Sequence, residues 1–352
     1  MLGIVIPTKN RSDFVIRQLN YYASVNCPYT IYLGDSSDRA HTDRILSTIE
    51  ELKWRLRVVH KWIDPAIVSH AVVKKLADIV EEKYVAYLGD DDFFVPDGLR
   101  DCIEFLESNP HYAAAQGHAV LFGLDREGAG GEIEILGRYL VKQCELETSA
   151  ERLTSFLNDY WVLDFSVHRT EEYREACDCR DLESARFLSD GPFTEILIGC
   201  LALIQGKAKR LDRLYLFRQA GPHRYGLSKE HLLDWIAQPN WQSSFQIFQN
   251  TVRDALVRHA NMSEDVASEL LRVSFSDYLA NSIGHKRHPN VFRKKINALR
   301  RTLEQSPAAR SMYNQVRKLK PGSRSDLRLE RLLSPRSSYH DDFMPVYRAI
   351  KS

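Results

Sequence analysis

Three adjacent carboxylates follow an apolar run in the first third of the chain. The run is Tyr84 to Leu88, the carboxylates are Asp90, Asp91 and Asp92, and Pro96 ends the stretch. Neighbouring carboxylates repel one another, so a folded protein tolerates them mainly where a cation or a hydrogen-bond donor lies among them. A hard divalent ion such as Mn²⁺ or Mg²⁺ suits such oxygen ligands. The alternative is an Asp-rich turn that caps a helix beginning at Pro96.

The elements that must position these acids alternate between strands and helices. Strands are predicted at Leu2 to Pro7, Thr30 to Leu33 and Leu56 to Trp62, each followed by a helix. Ser12 is a plausible N-cap of the first helix, Asp38 can cap the second, and the third is predicted from about Ala66 to Glu82. Short connections between alternating strands and helices predict a doubly wound α/β fold with a mostly parallel sheet. Because the carboxyl ends of parallel strands meet at one sheet edge, the turn after Pro7, Asp35 and the three acids should converge there.

The pattern changes after the helix predicted to begin at Pro96. Strands are expected at His111 to Phe122 and Glu132 to Tyr139, on either side of the glycine-rich segment 128–131, and they suggest antiparallel additions to the sheet. A further strand is predicted at Val162 to His168. Beyond about Ser228 the apolar spacing is helical throughout, and the later predicted helices cover residues 289–304 and 308–320. We therefore expect an α/β domain over residues 1–225 and a helical C-terminal domain over 226–352.

Composition limits the class of protein. The 352 residues carry a formal net charge of +1 and six cysteines without a paired spacing. No secretory leader is expected at the start, and no segment reaches the roughly 18 apolar residues that a membrane-spanning helix needs. The expected compartment is the cytoplasm, with reduced thiols and at most peripheral contact with a membrane.

A basic segment covers residues 286–336, which contain about fifteen lysines and arginines but only three acids. Three interpretations compete: a solvated helical face, a peripheral contact with the anionic inner face of a membrane, and nucleic-acid binding. The solvated face is favoured, membrane contact comes next, and no nucleic-acid partner is expected.

Three motifs together resemble family-2-like glycosyltransferases with a GT-A fold. Ile4 to Arg11 is similar to their opening strand and turn, Gly34 to Asp38 to their second acidic turn, and Tyr87 to Asp92 to their DXD motif. The resemblance covers about residues 2–225. It implies a GT-A-like fold, a nucleoside-diphosphate sugar as the sugar donor, with a UDP-sugar as the default, and a divalent metal as cofactor.

The resemblance also implies roles for single residues. Asp35 would contact the nucleobase, Asp90 the ribose or the metal, and Asp92 the metal that bridges the diphosphate, with Asp91 as their neighbour. The surrounding nucleotide-binding positions are Pro7, Thr8, Asn10, Arg11, Lys74 and Lys75. Lys74 and Lys75 could reach a phosphate, or they could form a solvated helix face. Gly34 stands where many family members have a first Asp, which leaves the nucleotide open.

Two later segments supply the remaining predicted groups. Asp190, before a predicted helix, is the candidate general base for the acceptor hydroxyl, with Glu195 in reserve; the alternative for Asp190 is a helix cap. In the loop over residues 218–226, His223 is a candidate third metal ligand and Arg224 would neutralise the leaving group.

The sequence as a whole predicts a metal-dependent inverting glycosyltransferase. It would transfer a sugar to a hydroxyl of a surface glycan, a lipid-linked saccharide or a protein. One competing hypothesis is a nucleotidyltransferase, which would want a glycine-rich phosphate loop that the segment from Pro7 to Arg11 lacks. The other is a non-catalytic sugar- or nucleotide-binding module.

Overall fold

The computed structural model describes residues 1–178, 193–221, 232–287 and 327–351. Within them, one mixed sheet of nine strands has the order β3-β2-β1-β4-β8-β6-β9-β5, and β7 pairs with β6. The strands are β1 (Leu2–Thr8), β2 (Thr30–Asp35), β3 (Val58–Trp62), β4 (Tyr84–Tyr87), β5 (Phe93–Phe94), β6 (Tyr112–Leu124), β7 (Ile133–Tyr139), β8 (Val167–Arg169) and β9 (Lys207–Gln219).

Helices cover the sheet and make up most of the described C-terminal part. They are α1 (Ser12–Ser24), α2 (Arg39–Leu52), α3 (Ser69–Ile79), α4 (Pro96–Ser108), α5 (Ser149–Asn158), α6 (Thr170–Cys177), α7 (Phe193–Gln205), α8 (Leu232–Ile236), α9 (Trp241–Ala260), α10 (Glu264–Arg287), α11 (Leu329–Leu332) and α12 (His340–Lys351). Among these residues, no helix combines the length and the apolar character that crossing a membrane requires.

The first four strands of the sheet are parallel, as the alternation of strands and helices predicted. Strand β1 lies between β2 and β4, and β2 also pairs with β3. The side chains of β1, β2 and β4 are mostly buried on both faces, which explains their continuous apolar runs in the sequence, whereas those of β3 are partly exposed. The predicted α/β fold with a helical C-terminal part is confirmed, and it is GT-A-like.

The second half of the sheet is mixed. Strand β8 is antiparallel to both β4 and β6, whereas β9 is parallel to β6. The two-residue strand β5, which the sequence did not reveal, pairs with Leu216 and Phe217 of β9. This pairing brings the segment after the three acids next to a strand more than 120 residues further along the chain.

Several predicted boundaries need correction. The strand predicted from Val162 is only the short β8, and the helix predicted from Ala66 begins at Ser69. Arg11, not Ser12, is the N-cap of α1, and it makes no side-chain capping bond. Asp38 caps α2 as expected, since its side chain accepts a hydrogen bond from the backbone of His41.

The C-terminal helices pack at two places. Helices α9 and α10 pack against α5 and α7, whereas α12 packs against α1. The ring of Phe343 in α12 lies 5.6 Å from that of Phe217 in β9, so the last helix shares the core of the N-terminal sheet. The predicted domain boundary near residue 225 and the helices predicted over 289–304 and 308–320 lie outside the described residues.

Candidate functional site

The turns after β1 and β2 are locked together. The Asn10 backbone N–H donates to Ser37 Oγ at 2.8 Å, and the Asp38 backbone N–H donates to Asn10 Oδ1 at 2.8 Å. Asn10 has φ = 55°, a left-handed conformation that asparagine tolerates better than most residues. The two turns therefore form one rigid rim at the carboxyl edge of the sheet.

Asp90, Asp91 and Asp92, which we call the acidic cluster, lie beside this rim. Thr8 Oγ1 donates to Asp90 Oδ2 at 2.8 Å, and the Arg11 guanidinium donates to Asp90 Oδ1. The same guanidinium donates to Asp91 Oδ2 at 3.0 Å. The structure thus brings together the residues that the sequence placed at one sheet edge, although their roles towards a nucleotide stay predictions.

Asp92 has a different position from its two neighbours. Arg218 Nε donates to Asp92 Oδ2 at 2.9 Å, and the Gln219 backbone N–H donates to Asp92 Oδ1 at 2.9 Å. The Asp92 side chain is 1% exposed, and Arg218 in turn lies over the ring of Phe165 at 4.1 Å. Asp92 therefore fastens the turn after β4 to the end of β9.

Arg17 on α1 joins three segments around the acidic cluster, and no pattern in the sequence predicted this role. Its Nη2 donates to the backbone carbonyl of Asp91 at 2.8 Å, and its Nη1 donates to Gln219 Oε1 at 2.8 Å and to the carbonyl of Ala129. Its guanidinium lies 4.7 Å from the centre of the Phe93 ring. Burial lowers the pKa of Arg17 to about 10, so the group still carries its charge at neutral pH.

Burial also governs the electrostatics of the acids. It raises the pKa of Asp90 to about 7 against the opposing charge of Arg11, and that of Asp92 to about 6 against Arg218. Burial alone would lower the pKa of Arg11, but the charges of Asp90 and Asp91 raise it overall. The charges of Arg11 and Arg218 therefore offset only part of the cost of burying these carboxylates.

As they are arranged, the acids do not fit a divalent ion. Both oxygens of Asp90 and both oxygens of Asp92 already accept hydrogen bonds. Across residues 1–178, 193–221, 232–287 and 327–351 there is no group of three or more His, Cys, Asp or Glu side chains with metal-binding geometry. Asp91 has the most exposed carboxylate of the three, at 24% against 6% for Asp90.

Asp35, predicted to contact the base, is completely buried. Its carboxylate accepts hydrogen bonds from the Ser37 backbone at 2.9 Å and from Thr42 Oγ1 at 2.8 Å, and it lies 3.2 Å from His60 Nε2. Burial by itself would raise the pKa of Asp35, but these hydrogen bonds hold it below its ordinary value. The carboxylate faces the protein, so it braces the turn after β2.

Gly34 departs from the family pattern for a steric reason. A Cβ at this position would lie 2.7 Å from Val72 Cγ1 and 2.9 Å from Leu76 Cδ1, both on α3. Aspartate would therefore collide with the helix unless the helix moved away from the sheet.

The remaining predicted residues are Lys74, Lys75 and Glu195, which the structure describes, and three that lie outside the described residues. Lys74 pairs with Asp78 at 3.0 Å, and Lys75 is exposed on α3. Glu195 accepts a hydrogen bond from the Tyr160 hydroxyl. Predictions that lie outside the described residues are those for Asp190, His223 and Arg224.

Comparisons with known proteins bear on the family and the fold. Residues 3–138 match glycosyl transferase family 2. The fold is similar to the crystal structure of S. aureus TarS, with a TM-score of 0.52 and 14% identity, over 99% of this chain and 54% of that one. The chain therefore spans about half the length of that TarS chain.

Two shorter TarS structures are also similar. S. aureus TarS 1-349 gives a TM-score of 0.47 at 12% identity, over 81% of this chain and 91% of that chain. TarS 1-349 in complex with UDP-GlcNAc gives 0.45 at 11% identity over the same shares. The comparison with curated proteins gave no match. The family 2 match over residues 3–138 therefore covers the three sequence motifs that resemble this family.

Proposed function

We propose that this protein is an inverting glycosyltransferase that takes a sugar from a nucleoside-diphosphate sugar and transfers it to an acceptor hydroxyl. The observation that carries the proposal is the meeting of Thr8, Arg11, Asp90 and Asp91 at the carboxyl edge of a parallel sheet. In open α/β sheets this edge is where ligands bind. The family 2 match covers the strands that build it.

Arg11 is the group best placed to meet the diphosphate. Its side chain is 30% exposed, unlike that of the buried Asp90 it pairs with. A guanidinium can form two parallel hydrogen bonds to phosphate oxygens, and it keeps its charge at every working pH. In the proposed reaction Arg11 neutralises charge on the departing nucleoside diphosphate, while the acidic cluster holds Arg11 in place until the sugar donor arrives.

The predicted Mn²⁺ or Mg²⁺ ion would serve the same leaving group by neutralising its charge. Arg11 already donates to Asp90 Oδ1 and to Asp91 Oδ2, so an ion that used these two oxygens would compete with Arg11. Metal dependence is therefore tested separately from binding of the sugar donor.

The acceptor side of the proposal rests on the sequence. Asp190 is the proposed general base that takes the proton of the attacking hydroxyl, which gives direct displacement with inversion. Glu195, held by the buried Tyr160, is the alternative base. The proposed acceptor is a surface glycan, a lipid-linked saccharide or a protein, and the proposed compartment is the cytoplasm or the inner face of a membrane.

Thermal-shift screening of nucleoside diphosphates and their sugars, with and without Mn²⁺, tests the proposal. We expect one nucleotide class to raise the melting temperature of the protein, by an amount that grows with ligand concentration. Asp91→Asn should reduce the shift, whereas Asp101→Asn on α4 should not. Binding without release or transfer of the sugar would instead support the non-catalytic module, and no binding at all would overturn the proposal.

A further inference from the structure

Trp62, the last residue of β3, exposes a large aromatic surface beside the candidate site. Its side chain is 57% exposed, yet its indole N–H donates to the backbone carbonyl of Ser37 at 3.2 Å. Tryptophan N–H groups usually find a hydrogen-bond partner when the ring is buried. Here one edge of the ring is held by the turn after β2 while most of the side chain is open.

The register of the sheet places this ring on the face that leads to the acidic cluster. Trp62 pairs with Asp35, and Asp35 pairs with Thr8, which donates to Asp90. Register partners in neighbouring parallel strands point to the same face, and the strands are about 4.8 Å apart. Two strand spacings put the Trp62 backbone roughly 10 Å from that of Thr8. A nucleoside can bridge a separation of this order.

The polar side chains of the turn after β2, which holds the Trp62 ring, are either engaged or buried, so they are not available to hydrogen-bond a nucleobase. The Asp35 carboxylate is engaged by Ser37, Thr42 and His60. The Ser36 hydroxyl in the same turn is buried and has no hydrogen-bond partner in the described part of the chain. Recognition of a base at this edge would therefore depend on stacking more than on the acidic hydrogen bond that the sequence predicted.

The surroundings of Trp62 are fixed from both sides. Lys9 lies in the turn after β1, and its Nζ donates a 2.8 Å hydrogen bond to the backbone carbonyl of Pro65, in the loop after β3. The Ile63 backbone N–H donates to the Asp35 carbonyl at 2.9 Å. A platform held by both neighbouring turns loses little conformational entropy when a ligand stacks on it.

We propose that Trp62 is the stacking platform for the nucleobase of the sugar donor and a determinant of base selectivity. The inference rests on the proposed function, because it names the residue that receives the base of that same ligand. An aromatic face accepts any base, and the preference among bases then comes from the strength of stacking and from the rim formed by the turns.

Equilibrium binding of nucleoside diphosphates to Trp62→Ala, Trp62→Phe and wild type tests the inference. Stacking on an aromatic side chain contributes about 1–3 kcal/mol per base, so Trp62→Ala should raise the Kd roughly 5- to 100-fold. Trp62→Phe should retain most of the affinity. In turnover, KM should rise while kcat changes little, because the contact is the same in the ground and transition states.

Trp54 supplies the matched control, since it is 88% exposed and lies in the segment between α2 and β3. Trp54→Ala should bind nucleotide like wild type. Saturating nucleotide should also quench the fluorescence of wild type and of Trp54→Ala, and this quenching should vanish in Trp62→Phe.

The outcomes separate the inference from the proposed function. If wild type binds no nucleoside diphosphate, the proposed function fails and the inference fails with it. If wild type binds but Trp62→Ala has the same Kd within about twofold, the inference alone is overturned. A change in the oligomeric state of Trp62→Ala with an unchanged Kd would also overturn it, because Trp62 would then be a protein contact.

Discussion

Two groups of aspartates in this protein have similar composition and different surroundings. The acidic cluster has side chains that are 6%, 24% and 1% exposed, and Arg11 and Arg218 bond to its carboxylates. The α4–α12 cluster, which we define as Asp97, Asp101 and Asp342, consists of acids from the first two turns of α4 and the first turn of α12 that interact electrostatically. In it, the Asp97 side chain is 51% exposed and that of Asp101 is 33% exposed.

The contrast shows that proximity of acids does not by itself define a site. The α4–α12 cluster is partly solvated, and its main cation, Arg213, is itself 39% exposed. In the acidic cluster the carboxylates are buried at a sheet edge where three turns meet, and the arginines that compensate them come from distant segments. Burial makes each of those ion pairs matter more, because solvent cannot replace a missing partner.

Removing one arginine from each cluster should give the largest difference. Arg218→Met leaves the buried Asp92 carboxylate without its cation, and we expect a loss of about 3–5 kcal/mol in the free energy of unfolding. Arg213→Met removes a partly exposed partner and should cost less than about 1 kcal/mol. Urea unfolding of the two variants and wild type measures both values.

A double variant sharpens this comparison. Asp92→Asn in the background of Arg218→Met removes the unpaired charge, so it should recover a large part of the lost stability. Equal losses in Arg218→Met and Arg213→Met would contradict the view that burial distinguishes the two clusters.

Metal binding should distinguish the clusters next. Arg11→Met frees the carboxylates of Asp90 and Asp91, and we expect Mn²⁺ to bind about tenfold more tightly than to wild type, which corresponds to about 1.4 kcal/mol. Arg100→Met, which frees Asp97 on α4, should leave Mn²⁺ affinity unchanged. Titration calorimetry with Mn²⁺ alone gives the comparison, and an unchanged affinity in Arg11→Met would show that Arg11 and the ion do not compete.

The pH dependence of the α4–α12 cluster should give the smallest effect. Burial, with the neighbouring acids, raises the pKa of Asp342 to about 6 from its ordinary 3.8, against the charge of Arg213. The folded state thus binds this proton more tightly than the unfolded state, so the free energy of unfolding falls as pH rises from about 4 to about 6. Asp342→Asn lacks this loss and should be the more stable protein at pH 7.

At pH 7 the gain in the free energy of unfolding of Asp342→Asn should stay below about 1 kcal/mol, because Asp342 is only partly buried and solvent screens its charge. Asp277→Asn, at an exposed position on α10, is the control and should follow wild type at every pH. Urea unfolding at pH 4 and pH 7 is the measurement. A gain in Asp342→Asn that is the same at both values would contradict the assignment.

Local patterns in the sequence were enough to predict the sheet edge. Apolar runs ending in polar turns, alternating with helices, fixed β1, β2 and β4 as parallel neighbours, and that alone brings Thr8, Arg11 and Asp90 together. The helix that begins at Pro96 and the cap formed by Asp38 could be predicted for the same reason, because each depends on residues only a few positions apart.

Hydrogen-bond partners that lie far apart in the chain could not be predicted from the sequence. Arg218 and Gln219 bond to Asp92 through the pairing of β5 with β9, and a two-residue strand has too little pattern to reveal it. Arg17 is buried on α1, where a charged residue is typical of an exposed position. The sequence could not show that Asp35 would be engaged by Thr42 and His60, since that depends on how α2 and β3 pack around it.

The central claim is that the acidic cluster and the turn after β1 form a site for a nucleoside-diphosphate sugar. Titration calorimetry of nucleoside-diphosphate sugars against wild type, Asp91→Asn and Asp101→Asn, with and without Mn²⁺, tests it most directly. We predict that wild type and Asp101→Asn bind the same sugar donor equally well, and that Asp91→Asn binds it at least about tenfold more weakly. Equal binding by all three proteins, or binding by none of them, would contradict the claim.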